Sequence, residues 1–172
     1  VIKDEADKDY QLAAGISQDV EADDSIMELT KARLPWLVLA LLGGFITVRV
    51  LGLFEGAMLE HGKLFFFTPL IAAMAGNVGV QSSAIIVQGL ANNTLSGSLF
   101  NRLVKEISLS LLNGLILASI LFLGSHFLLN VEVIIGVIVT IALVSVIIIA
   151  SLIGTFIPLL LDKFGVDPAL AT

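Results

Sequence analysis

The sequence of 172 residues contains no cysteine, and only 14% of its residues are charged. The absence of cysteine excludes disulfide bonds, thiolate zinc sites and thiol chemistry. The charged fraction is far below the roughly 25% that is usual in a soluble globular domain. Apolar residues make up 57% of the chain, and its mean hydropathy is +1.02. These proportions are typical of an integral membrane protein.

Basic residues are few as well, and the balance between acidic and basic residues differs along the chain. Acids outnumber bases 15 to 9, which excludes a nucleic-acid partner because binding phosphates needs a basic surface. Residues 1–28 hold nine acids and two lysines and carry a formal charge of −7, whereas the remaining residues carry +1. The chain therefore divides into an acidic, cytoplasmic connecting segment at 1–33 and a transmembrane domain at 34–172.

Four nearly uncharged stretches are each long enough to cross a bilayer, which takes about 20 apolar residues. They predict an all-α integral membrane bundle with four transmembrane helices, at about 34–55, 64–91, 107–129 and 133–161. Ser25 and Glu28 have the spacing of a capping box, which predicts the start of a short helix within the acidic segment.

The positions of lysine and arginine predict the orientation. Four spans place both ends of the chain on one side of the lipid bilayer, and that side holds seven of the nine basic residues. The other side holds only Arg49 and Lys63. Because basic flanks are retained in the cytoplasm, we expect both ends to be cytoplasmic, in a multi-pass protein of the cell (inner) membrane.

The second predicted span carries amide side chains, which are costly in a membrane. At about 100° per residue, Asn77, Gln81 and Gln88 fall within about 40° of one another on a helix. The small residues Ala73 and Ala84 continue the same stripe. Neutral oxygens beside small side chains leave room for water, which suits a cation that keeps its hydration shell, as Mg²⁺ does. The stripe therefore predicts a pathway for divalent cations.

The alternative is a non-conducting membrane scaffold or assembly subunit whose amide stripe is a helix-packing interface. Small residues let membrane helices approach closely, and packing is the favoured interpretation for Gly76 and Gly79. A weaker stripe in the fourth span, with Ser151, Gly154 and Pro158, is also interpreted as packing.

Ionisable residues near the spans form no catalytic constellation. His61 and His126 lie at span ends without the spacing of a serine, aspartic or zinc protease, and no Walker motif is present. We therefore expect neither an enzyme nor an organic cofactor. Glu55 and Glu60 are candidates for an outer rim that concentrates cations, and Asp167 is a candidate for an ion exit or for the start of a turn.

The run from Pro69 to Ala91, with Asn77-Val78-Gly79-Val80-Gln81 at its centre, resembles the MgtE family of magnesium transporters. Further segments resemble that family in the same order; they are Arg33 to Leu37, Gly52 to Glu55, Gly154 to Leu161 and Gly165 to Leu170. The acidic head resembles the segment that leaves the family's regulatory CBS domains for a cytoplasmic plug helix. The resemblance covers nearly the whole chain.

The resemblance implies a homodimeric channel with five spans per subunit, whose second and fifth spans line the pore. This chain would then be a fragment with four of the five spans, and Mg²⁺ would be both transported and bound. The implied pore-lining residues are Ala73, Gly76, Asn77, Val80, Gln81, Ala84 and Gln88. The implied metal-binding residues are Asp167, Asn77 and Glu60. Val80 departs from the family pattern, which often has an amide at that position.

Overall fold

The computed structural model describes residues 10–95 and 97–171. Its four long helices are α1 (Ile26–Gly52), α2 (Thr68–Ala91), α3 (Leu99–Phe127) and α4 (Val133–Lys163). Shorter helical segments include residues 10–13, Glu55–Glu60, Gly62–Phe65 and the 3-10 helix Pro168–Ala171. No strand occurs in the two described ranges. All four long helices are long and apolar enough to cross a membrane, which confirms the predicted all-α membrane class.

Helices α1 and α3 begin well before the spans predicted from 34 and 107. Hydropathy marks where the chain enters hydrocarbon, whereas a helix extends until its free N–H groups find a cap. The hydroxyl of Ser98 accepts a 3.3 Å hydrogen bond from the backbone N–H of Asn101 at the start of α3. At the start of α1 the backbone N–H groups of Ser25 and Glu28 each donate to the other's side chain. The predicted capping box is confirmed.

The helix that begins after Ser25 does not end near Arg33. It continues through Pro35 into the first span, so the short helix and the first span expected from the sequence form one element, α1. Membrane helices tolerate an internal proline because neighbouring groups satisfy the freed carbonyl. Residues 1–9 of the predicted connecting segment lie outside the described ranges.

The described chain divides into two compact units, and the first contains residues 10–60 and 169–171. Its opening segment is attached to the first turns of α1. The backbone N–H and the hydroxyl of Ser17 both donate to the carbonyl oxygen of Ala32, each at 2.9 Å. Gly15, with φ of +76°, lies against the indole ring of Trp36, where a Cβ would overlap the ring. Only glycine combines that conformation with so little space.

In the second unit, His61–Pro168, α4 packs against both α2 and α3. The buried residues of α4 recur every three or four positions and are Gly136, Val139, Leu143, Ile147, Ser151, Gly154, Thr155 and Pro158. This period places them on one face of the helix. The interpretation of the fourth-span stripe as a packing surface is confirmed.

Helices α2 and α4 meet through backbone. A Cβ built on Gly154 would overlap the carbonyl oxygen of Gly79, so Gly79 is a packing residue as expected. Gly76 differs: it is exposed, and a Cβ there would meet no atom within 4 Å. Within the described chain Gly76 therefore supports no helix contact.

Polar contacts in this unit are consistent with successive helices that cross the membrane in alternating directions. The hydroxyls of Ser110 on α3 and Ser151 on α4 are hydrogen-bonded to each other. Lys63 Nζ lies 3.5 Å from Glu132 Oε1. These two residues precede α2 and α4, so the two helices start on the same side of the membrane. Both side chains are about two-thirds exposed (68% and 67%), and such an ion pair adds little stability.

We expect Gly154→Ala to destabilise the packing of α4 on α2 by about 1–3 kcal/mol, the usual cost of overpacking. The added methyl group fits only if the backbone of Gly79 moves. The free energy of unfolding is measured by titrating detergent-solubilised protein with SDS. Gly124→Ala on α3 is the control, because a Cβ there meets no atom within 4 Å. Equal stability of the two variants would contradict the close approach.

Candidate functional site

Helix α2 presents two different faces. One face is buried and contains Ser82, Ser83, Ile86 and Gly89. The seven residues predicted to line a pore are all exposed and are Ala73, Gly76, Asn77, Val80, Gln81, Ala84 and Gln88. The structure therefore brings these seven together on the part of α2 that is not used for packing on α4. We call this surface the amide face.

The amides of this face have no partner within the described chain. No hydrogen bond joins the side chains of Asn77, Gln81 or Gln88 to any other residue that the structure describes. An amide in hydrocarbon without a hydrogen bond costs several kcal/mol. The amide face is therefore suited to water or to another protein surface and poorly suited to lipid tails.

Beside Gln81 lies a small polar cavity between α2, α3 and α4, with a volume of about 60 Å³. Its polar lining residues are Gln81, Ser82, Glu106, Ser110, Asn113 and Ser151. A water molecule needs about 10–15 Å³ of such volume, so the cavity is large enough to hold water. The amide face thus adjoins a space between the helices that has polar and apolar lining side chains.

Glu106 also lines this cavity, although its position in the sequence did not mark it as a candidate site residue. It is half-buried in the second turn of α3, and its Oε1 accepts a 2.6 Å hydrogen bond from the hydroxyl of Ser82. The third span was predicted to begin at 107, which left this acid in the preceding loop. The signal that would have found it is Arg102, four residues earlier, because such a pair favours a continuing helix.

Asn113 was missed for another reason. It lies in the middle of α3, is exposed, and faces the same cavity as Gln81. The rule that singled out Asn77, an amide within an apolar run, applies equally to Asn113. A stripe of several amides on one helix gives no indication of a single amide on a neighbouring helix.

Two of the three predicted metal-binding residues, Asp167 and Asn77, lie at different levels of the second unit. Asp167 is exposed just after α4, on the side of the membrane where α2 ends. Asn77 lies 14 residues before the end of α2, or about 20 Å along the helix. Glu60, also exposed, belongs to the other compact unit. Among the described residues, no group of three or more His, Asp or Glu side chains is arranged to hold a metal ion.

Comparison with protein families matches residues 68–172 to MgtE, described as a divalent cation transporter. The chain is 33% identical over 173 residues to the magnesium transporter MgtE of Bacillus subtilis. It is 34% identical over 175 residues to that of Enterococcus faecalis and 33% over 175 residues to that of Thermus thermophilus. Each alignment covers 100% of this chain and 38% of the relative, so the chain spans little more than a third of these relatives.

The link between Ser82 and Glu106 can be tested by removing the donor. We expect Ser82→Ala to lower the free energy of unfolding by about 1–3 kcal/mol, because the half-buried carboxyl of Glu106 loses its hydrogen bond. Ser119→Ala is the matched control: its hydroxyl is exposed and bonds only the carbonyl of Leu115 in its own helix, at 2.8 Å. SDS titration compares the two. A control as unstable as Ser82→Ala would contradict the specific contact.

Proposed function

The chain belongs to the MgtE family of divalent cation transporters, and from that premise we propose that it forms part of a passive pathway for Mg²⁺ across the membrane. Two copies assemble so that the amide faces of their α2 helices line a shared pore. The family consists of transporters, which confirms the expectation from the sequence that the chain is not an enzyme.

One observation carries this proposal: the amides of α2 lie on the exposed face and have no hydrogen-bond partner in the described chain. A helix packed entirely within its own subunit would pair these amides or bury them. A helix facing lipid would replace them with apolar residues. A water-filled space between subunits accommodates them without that cost.

The chemistry of the amide face fits a hydrated divalent cation. Mg²⁺ gives up its waters reluctantly and is bound mainly by oxygens. The side-chain oxygens of Asn77 and Gln81 accept hydrogen bonds from the waters of the ion, so the ion moves past them without losing its shell. Asp167 attracts cations at the inner mouth and Glu60 at the outer mouth. Val80, with half of its surface exposed (50%), narrows the path between the amides without binding the ion.

Transport along this path needs no bound nucleotide. Moving two positive charges through 100 mV of membrane potential, negative inside, releases about 4.6 kcal/mol. That is enough for a gradient of about a thousandfold, because each tenfold costs about 1.4 kcal/mol. A pore that selects the ion is therefore sufficient.

The wider assembly follows from the same premise. We place the protein in the cell (inner) membrane with both ends of this chain in the cytoplasm, as the distribution of basic residues predicts. The acidic segment before α1 connects the membrane domain to regulatory CBS domains. In this proposal a fifth span, in addition to the four of this chain, completes the membrane domain. The homodimer and the CBS domains are the protein partners in this proposal.

The pathway is tested by magnesium-dependent growth of a bacterium that lacks its own magnesium uptake systems. We expect the full-length protein to restore growth at low Mg²⁺ and Asn77→Leu to reduce uptake at least about tenfold, because removing an amide that interacts with the ion's waters costs more than about 1.4 kcal/mol. Ser145→Leu is the matched control, since it exchanges an exposed polar residue of α4 that bonds only its own helix.

The competing scaffold function predicts the opposite pattern. In that case Asn77→Leu harms assembly of the dimer more than it harms magnesium transport. Crosslinking of the purified protein measures the dimer fraction at matched membrane levels. Normal assembly with lost uptake supports the pathway, and a well-inserted dimeric parent that never restores growth rules it out.

The role of Asp167 is separable from that of the amide face. We expect Asp167→Ala to raise the external Mg²⁺ concentration needed for growth several-fold without abolishing transport. One exposed charge lowers the free energy of a nearby cation by about 1 kcal/mol, which raises the local cation concentration about fivefold. The exposed Asp162→Ala on the last turn of α4 is the control. Identical growth curves for the two variants would remove Asp167 from the pathway.

A further inference from the structure

The polar cavity between α2, α3 and α4 has an unbalanced charge in its wall. All of its lining residues lie in the described ranges, and Glu106 is the one charged residue among them. Arg102 and Lys105, on the same helix as Glu106, line a larger neighbouring cavity and not this one. With its carboxyl ionised, Glu106 gives the wall of the polar cavity a net negative charge.

The carboxyl of Glu106 is directed from α3 toward α2. Its Oε1 accepts the 2.6 Å hydrogen bond from the hydroxyl of Ser82, a residue of α2 that is only 7% exposed. Glu106 lies about 10 Å along α3 from the start of the helix at Leu99. An ionised carboxyl inside a membrane domain is costly unless a cation or a proton accompanies it. The polar cavity therefore requires a counter-charge.

Neutral oxygen atoms complete the polar part of the wall. The buried hydroxyls of Ser110 and Ser151 are hydrogen-bonded to each other. A hydroxyl oxygen has two acceptor lone pairs, so this bond leaves lone pairs that can coordinate a cation. The amides of Gln81 and Asn113 each add a carbonyl oxygen, and neither amide is hydrogen-bonded to another residue within the described ranges. A carboxylate with several neutral oxygens is a ligand set typical of hard cations.

The two amides lie where an ion can enter the cavity. Gln81 and Asn113 are exposed, whereas Ser110 and Ser151 are only 3% and 1% exposed. The polar wall therefore extends from exposed amides to buried hydroxyls. An ion that passes between the amides exchanges its waters for protein oxygens one after another, as ions do in a selectivity filter.

The charge of the wall favours a monovalent cation. One positive charge neutralises the single carboxylate, whereas a divalent ion would leave a net positive charge in a region of low dielectric constant. Mg²⁺ also gives up its waters reluctantly and demands near-ideal octahedral geometry. The cavity has a volume of about 60 Å³ and includes the apolar Ile85 and Ile147 in its wall. It therefore suits a small ion that exchanges its waters easily.

We infer that the polar cavity binds one Na⁺ ion per subunit, with the carboxylate of Glu106 as its charged ligand. The neutral ligands are the side-chain oxygens of Gln81, Asn113 and Ser110. A proton on Glu106 would also neutralise the carboxyl, but it would leave both amide oxygens without a partner. The ion lies within a single subunit, so the site does not depend on the proposed passage of Mg²⁺ between two subunits.

The test measures equilibrium binding of radioactive Na⁺ to the detergent-solubilised full-length protein, in a Mg²⁺-free buffer with choline chloride as the background salt. We expect saturable binding of one Na⁺ per subunit, which unlabelled NaCl displaces. Glu106→Gln keeps the size of the side chain and removes its charge. We expect this variant to bind Na⁺ at least about tenfold more weakly, because the ion then lacks its counter-charge.

Matched variants locate the ion. Asp162→Asn neutralises an exposed acid at the end of α4, outside the cavity, and leaves Na⁺ binding unchanged. Asn77→Leu, which blocks the proposed Mg²⁺ pathway, also leaves Na⁺ binding unchanged, because Asn77 does not line the cavity. Failure of this inference is thereby distinguished from failure of the pathway. If Glu106→Gln does not fold, Asn113→Ala removes one exposed neutral ligand and weakens binding several-fold.

Three results overturn the inference. The first is no saturable Na⁺ binding by the unmodified protein, which indicates that a proton or a cationic side chain neutralises Glu106. The second is unchanged Na⁺ binding by a folded Glu106→Gln or Asn113→Ala variant, which places the ion elsewhere. The third is displacement of the bound Na⁺ by a lower concentration of Mg²⁺ than of unlabelled Na⁺, which indicates a site for divalent cations.

Discussion

A polar group in hydrocarbon is costly unless it has a hydrogen-bond partner, and the membrane helices of this protein are arranged under that constraint. The backbone satisfies it by forming helices. The hydroxyls of Ser110 and Ser151 satisfy it by pairing between α3 and α4, and Ser82 does so by donating to Glu106. The amides of α2 do not satisfy it within the described chain. They therefore mark the surface where water or another subunit completes the structure.

Packing and the proposed conduction use different faces of the same helix. Gly79 approaches the backbone of Gly154, whereas Asn77, two residues earlier, is exposed and lies about 160° away around α2. Contacts to α4 thus hold α2 in place without occupying the amide face. This separation means that the stability of the domain and the properties of the pathway can change independently, residue by residue.

Glu106 lines two neighbouring cavities of the membrane domain. Together with Ile85 and Leu109, it lines both the small polar cavity beside Gln81 and a larger cavity of about 490 Å³ between the last turns of α2 and the first turns of α3. Its carboxyl is held by Ser82 on the α2 side, one residue from Gln81. The two cavities therefore adjoin each other close to Gln81 and the amide face.

The sequence alone determined the all-α membrane class, the four spans, the capping box at Ser25 and the spacing of the amides, because apolar length and helical period are local properties. Only the tertiary structure decided which small residues pack, since Gly79 meets α4 whereas Gly76 does not. It also decided that Glu106 and Asn113 join Gln81 around one cavity. These contacts depend on how each helix is rotated against its neighbour, and that rotation is set by side chains far apart in the sequence.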